Sequence, residues 1–326
     1  MNGKKANWSF LITILCYMGV IISIALFFPF VADSIFLSNL VCEIVVVAPI
    51  FVFMLASKEK PASFLGFHKM KISSVFMTAL FTFLSVPVLT LFNLISQIWV
   101  ENEVAAMLGS QQTRFAVLYL SVGIIAPVFE EIACRGAFYH SYRKSGSAFK
   151  AMLLSALIFA LVHMNFNQAA YAFVMGIWAV LLMEATGSLW SAIIYHGLIN
   201  GSQVILMQFA LLADTDAAQQ AAAITTDTLM VMIGGYVILA AVTLPLAWAA
   251  LVWIGANEGR SEALRWIWNG RKEKKDKMVT VPLVLGLILC FSVMTGIFVW
   301  AVNEILTLLL MHVMQGYTSI SMLLPT

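Results

Sequence analysis

Residues 129–136 read Phe129-Glu130-Glu131-Ile132-Ala133-Cys134-Arg135-Gly136, inside an apolar run, about 114–142, that is long enough to cross a bilayer. Two adjacent carboxylates and a guanidinium at that depth cost about 3 kcal/mol each on insertion scales, so they mark a functional site by default. Glu131 and Arg135 are spaced i,i+4 with the acid N-terminal, the favourable order for a helical ion pair. Glu130 points about 100° away around the same helix and has no such partner in sequence. One carboxylate is neutralised by its neighbour and the other is left free for chemistry.

The rest of the chain has the composition of a lipid-embedded protein. Of its 326 residues, 62% are hydrophobic and 10% charged, and mean hydropathy is +0.95. That excludes a soluble two-domain protein. A net charge of +2 gives no reason to expect nucleic acid as a partner. Cys16, Cys42, Cys134 and Cys290 fall inside apolar runs without metal-ligand spacing. They read as small buried hydrophobes, not as a disulfide framework or a metal site.

Working outward, nine apolar stretches are expected to be helical spans: 10–31, 35–56, 73–99, 114–142, 148–164, 167–184, 188–209, 228–255 and 279–312. The first follows Lys4 and Lys5 and is too long for a signal-peptide core, so it is read as an uncleaved span. The expected fold is all-α, a polytopic transmembrane helix bundle of about nine spans. It divides into N-terminal helices (1–113), a catalytic core (114–210) and C-terminal helices (211–326) carrying a basic loop at 258–277. Pro49, Pro87, Pro127 and Pro245 lie within spans and tend to kink them. Pro127 is expected to free the carbonyl of Gly123 just before the glutamate pair, where an opening would admit water.

Charge sets the orientation. All of the 18 Lys and Arg except Arg114 and Arg135 fall in loops on one side, and Asp33, Glu101, Glu103, Asp214, Asp216 and Asp227 fall in loops on the other. The positive-inside rule then puts the N-terminus in the cytoplasm and the C-terminus outside, in a multi-pass protein of the cell membrane. Trp266 and Trp268 among mixed charges suggest an interfacial helix within 258–277, and the polar stretch 212–227 reads as an extracytoplasmic loop.

Further polar groups share the acidic pair's predicted depth. His163 closes the fifth stretch, with Phe159 one turn earlier, and His196 and Asn200 share one face of the seventh. Glu130 lies 13 residues from Arg143, and His163 lies 13 from Lys150. At 1.5 Å per residue both are about 20 Å from the basic end, with His196 about 12 Å in from Ser188. These groups are placed to converge on an intramembrane pocket opening toward the cytoplasm. A carboxylate, two imidazoles and a carboxamide suit hydrolysis by water: a base to activate it, a second group to orient it, and donors for an oxyanion. Taken singly, each His or Asn is as readily a polar contact between helices. Glu43 and Glu304 have no evident partner and read as structural or proton-related, while His68, His140 and His312 read as structural.

Glu130-Glu131-x-x-x-Arg135, Phe159-x-x-x-His163 and His196-x-x-x-Asn200, in that order on separate spans, resemble the three motifs of the CAAX protease and bacteriocin-processing (CPBP) family. That family includes the Abi proteins and the eukaryotic Ras-converting CAAX endopeptidase. Thr186-Gly187-Ser188-Leu189-Trp190 is similar to family members as well, and the resemblance covers about residues 114–205. It implies an intramembrane glutamic endopeptidase that uses no metal or other cofactor. Glu130 would activate the water with help from His163, His196 and Asn200 would form the oxyanion site, and Glu131 and Arg135 would hold the helix geometry. The implied partners are membrane lipids and a membrane protein or peptide substrate, with or without a lipid anchor. Two other classes compete. One is a zinc protease with Glu130, His163 and His196 as ligands, which the lack of an HExxH motif disfavours. The other is a non-enzymatic immunity or scaffold protein, or a proton-coupled membrane protein.

The charge distribution gives a direct test. Cysteines introduced at Ser261 and Ser319 should label from opposite sides of intact cells, and same-side labelling would overturn the assigned orientation.

Overall fold

The computed structural model describes residues 1–102, 114–213, 225–272, 277–305, 307, 308 and 311. Each expected apolar stretch is helical: α1 (Gly3–Phe27), α2 (Ile35–Leu55), α3 (Ile72–Ser96), α4 (Phe115–Ser145), α5 (Ala148–Val162), α6 (Phe166–Thr186), α7 (Leu189–Ala213) and α8 (Thr226–Asn257). A short α9 (Ala263–Asn269) follows in the basic loop, then α10 (Val281–Met294) and α11 (Ile297–Ile305), bent by 82°. No strand occurs among the described residues. The fold is an all-α polytopic bundle.

Helices and spans do not coincide everywhere. By length and apolarity α1, α2, α3, α4, α6 and α8 qualify as spans, six in all, or seven if the bent pair counts as one. On that measure six or seven of the nine stretches qualify among the described residues. At 15 residues α5 reaches about 22 Å, short of the roughly 30 Å of hydrocarbon. The 25 residues of α7 are interrupted by His196, Asn200, Ser202 and Gln203.

The bundle is built around α6, whose apolar window is 67% buried against 22–39% for the other span helices. The outer helices turn large apolar side chains outward, such as Phe76, Leu206 and Ile238, which is the surface a lipid environment calls for. α5 and α6 form a hairpin through a tight turn. His163 caps α5, Met164 takes a left-handed φ of 51°, and Asn165 caps α6 by accepting from the Gln168 N–H at 2.8 Å. Small residues set the closest crossings. A Cβ at Gly176 would lie 2.9 Å from the Ala156 backbone and 3.1 Å from Arg135 Nη2. A Cβ at Gly123 on α4 would lie 3.2 Å from the Gly201 backbone on α7.

At the basic end, Glu184 at the close of α6 is the tie. It accepts from Tyr139 Oη at 2.9 Å and pairs with Arg143 at 2.7 Å and Arg260 at 3.4 Å. The helix expected in the basic loop is α9; Trp266 lies under the Arg143 guanidinium at 4.7 Å and Trp268 packs on Phe149 at 5.6 Å. Glu103, Asp214, Asp216, Lys274, Lys275, His312, Ser319 and most of the 212–227 stretch lie outside the described residues.

Gly176→Leu should force α5 away from α6. Overpacking of this kind costs about 1–3 kcal/mol, so the variant should melt several degrees below the wild type in detergent. An unchanged melting temperature would mean that the crossing is looser than the contact distances imply.

Candidate active site

The site starts from an irregular backbone. α4 is π-helical over Tyr119–Ile125 and again over Ile132–Tyr139, with six α-helical residues, Ala126–Glu131, between. Such π segments are uncommon and cluster at functional sites. In the first segment the Ala126 N–H bonds the Ser121 carbonyl, five residues back. Pro127, the next residue, has no N–H to give to Val122 in that register. The Val122 carbonyl is left open in that register. The Asn200 side chain closes it, donating from Nδ2 at 3.2 Å.

Glu131 and Arg135 form the expected pair, Nη1 to Oε1 at 3.0 Å, with both side chains fully buried. The Arg135 guanidinium also lies over the Phe159 ring at 4.1 Å, a cation–π contact in a dry setting. The same ring meets His163 at 4.9 Å and His196 at 5.5 Å, both edge to face. Phe159 is the apolar post against which three polar side chains are set.

The tautomers follow from the partners. His163 Nδ1 faces the Phe159 carbonyl at 2.6 Å, and a carbonyl only accepts, so that nitrogen carries the proton. His196 Nδ1 faces Glu131 Oε1 at 2.8 Å, and a carboxylate again only accepts. Both Nε2 atoms then point at Glu130 Oε2, each at 3.8 Å. That is too far for a direct hydrogen bond and suits a bridging water. The structure thus brings Glu130, His163 and His196 into one cluster, backed by Glu131, Arg135 and Phe159. Asn200 stands one turn along α7 from His196, with one amide N–H committed to Val122 and one to spare.

One polar face was not identified as such in the sequence. Glu43 of α2 is buried, and its Oε2 has no hydrogen-bond partner among the described residues. The signal was visible: Asn39 and Glu43, at i,i+4, put two polar groups on one face of an otherwise apolar span. Asn39 ties α2 to α4, donating to Ser121 Oγ at 2.8 Å and to its carbonyl at 3.1 Å.

Elsewhere, a cavity of about 660 Å³ opens at the basic end, bordered by Glu59, His68, Arg143, Glu184 and Arg260 and separate from the Glu130 cluster. Its cations are held by Glu59 and Glu184. Among the described residues, no group of three or more His, Cys, Asp or Glu side chains is arranged to hold a metal ion.

Residues 112–202 match the family model described as Rce1-like, type II CAAX prenyl endopeptidase. No curated protein and no solved structure matches the chain. The matched segment holds α4 to the first half of α7 and with them every motif residue.

Glu131→Gln would leave Arg135 as an unpaired buried charge, and breaking such a pair costs about 3–5 kcal/mol. That variant should lose most of its thermal stability, and adding Arg135→Gln should restore part of it. Glu130→Gln, with no ion pair to Arg135, should melt near the wild-type temperature. The reverse order of stabilities would exchange the parts played by the two glutamates.

Proposed function

We propose that this multi-pass membrane protein is a CAAX-type intramembrane endopeptidase that cuts a membrane-associated protein or peptide with water activated by Glu130. The convergence of two Nε2 atoms on Glu130 Oε2 carries this reading. A water held between Glu130 and His163 meets two acceptors, the carboxylate and an imidazole whose proton is already on Nδ1. Both water hydrogens are then occupied and its free lone pair faces the scissile carbonyl. Glu130 takes one proton as the C–O bond forms and returns it to the amine as the C–N bond breaks.

Charge balance defines the part of His196. Its Nδ1–H is held by Glu131, so a donor at Nε2 requires the imidazolium. Arg135 and imidazolium then offset Glu130 and Glu131, and the four groups sum to zero, a low-cost arrangement for a buried site. His196 Nε2–H and the spare N–H of Asn200 are the donors for the oxyanion. Phe159, Arg135 and Glu131 fix these donors in place before substrate arrives. The cut is expected near the cytoplasmic face, where the basic loops lie.

A farnesylated peptide ending in a CAAX sequence, presented in detergent micelles to purified protein, tests the reading. Wild type should cleave it, and Glu130→Gln should bind it without turnover. His196→Ala and Asn200→Ala should each lose about 100- to 1000-fold in kcat with KM little changed. Turnover should survive prolonged chelation; loss reversed by added zinc would favour the zinc protease instead. Full activity in Glu130→Gln would overturn the assignment of the base.

A further inference from the structure

The cavity of about 660 Å³ at the basic end falls in the range, about 300–1,000 Å³, of sites for small molecules. Its wall draws on three parts of the chain: Ser63 and Phe64 before α3, Arg143 and Lys144 at the end of α4, and Arg260 and Trp266 between α8 and α10. Arg143 lies 13 residues past Glu130, about 20 Å of helix rise away, so the proposed cleavage site does not account for it. Three cations face two carboxylates there. Glu184 serves both Arg143, at 2.7 Å, and Arg260, at 3.4 Å, and Glu59 serves Lys144 at 2.7 Å. These side chains thus carry one positive charge more than the two acids offset. Layering adds to the surplus. The Glu184 side chain is 3% exposed, against 33% for Arg143 and 39% for Arg260. A ligand in the cavity therefore meets the two guanidinium groups, with the carboxylate that holds them behind.

We infer that this cavity binds the phosphate of an anionic phospholipid headgroup, with Arg143 and Arg260 as its main donors. A guanidinium has five N–H groups in a fork that matches phosphate oxygens. Arg143 gives Nη1 to Glu184, while Arg260 gives Nε to the Glu184 carbonyl at 2.7 Å and Nη2 to its carboxylate, so both keep donors for a ligand. Both are also held in place beforehand. Arg143 lies over the Trp266 ring at 4.7 Å, and Arg260 lies against Gly187, where a Cβ would come within 3.2 Å of its Nη1. The surroundings select a lipid over a soluble phosphate. Trp266 and Trp268 are exposed, as aromatic side chains at headgroup level are. Basic pockets between membrane helices on the cytoplasmic side, where the basic loops put this one, take anionic headgroups.

Native mass spectrometry of the purified full chain in neutral detergent tests this, with short-chain phosphatidylglycerol, short-chain phosphatidylcholine and glycerol 3-phosphate as probes. One phosphatidylglycerol should bind about tenfold or more tightly than phosphatidylcholine. Arg260→Gln removes one cation and leaves Glu184 paired with Arg143, so affinity for phosphatidylglycerol should fall about fivefold. Ser63→Glu adds a carboxylate to the wall and breaks neither ion pair. It should weaken phosphatidylglycerol by a similar factor and leave phosphatidylcholine unchanged, while Ser63→Gln, of the same size without the charge, should bind as wild type does. Equal affinity for the two lipids would overturn the inference. So would a Ser63→Glu that binds phosphatidylglycerol as Ser63→Gln does. Glycerol 3-phosphate bound as tightly as phosphatidylglycerol would also overturn it, because the site would then take a soluble phosphate. If Arg260→Gln fails to fold, the two Ser63 variants still decide. No probe is cleaved in these measurements, so they stand whether or not Glu130 proves to be the base.

Discussion

The buried pair of Glu131 and Arg135 is the constraint on which the rest of the site depends. Taking two charges out of water costs several kcal/mol for each, and their attraction repays this only with good geometry and further partners. Here the partners are the site itself. Glu131 Oε1 accepts from Arg135 and from His196, and Arg135 stacks on the ring that also meets both imidazoles. Any loosening of the pair would be felt at His196 and at Phe159 together. Gly176 belongs to the same arrangement, because a side chain there would press on both the Ala156 backbone and Arg135 Nη2.

The backbone of α4 serves the same end. A regular helix would place Pro127's missing hydrogen bond against Gly123; the π register moves it to Val122, within reach of Asn200. The open carbonyl so aligns a carboxamide that the neighbouring His196 alone would not position. The second π segment, Ile132–Tyr139, holds Arg135 and ends where Tyr139 meets Glu184. Polar contacts between helices at these points matter more in lipid than apolar ones, since lipid tails compete with apolar packing and not with hydrogen bonds.

The flanking helices are not passive casing. α2 carries the buried Glu43 and is tied to α4 through Asn39 and Ser121, although it lies outside the stretch that matches the CAAX endopeptidase family. The loop at the basic end is held by Glu184 through Arg143 and Arg260, which keeps α9 against the bundle.

The sequence by itself determined the class of protein, the helical stretches and the motif residues. Composition leaves only a helical membrane bundle, and an i,i+4 spacing brings two side chains of one helix together whatever surrounds them. The Glu131–Arg135 pair and the shared face of His196 and Asn200 were legible for that reason. Tertiary structure alone decided which faces meet. Asn39 and Ser121, which tie α2 to α4, are separated by 82 positions in the chain, and helical periodicity specifies a face without naming its neighbour. The same limit applies to helix length: α5 reads as apolar through residue 164, yet the turn at Met164 ends it after 15 residues. The Asn200 bond to the Val122 carbonyl depends on a π register of α4 that i,i+4 spacing does not reveal.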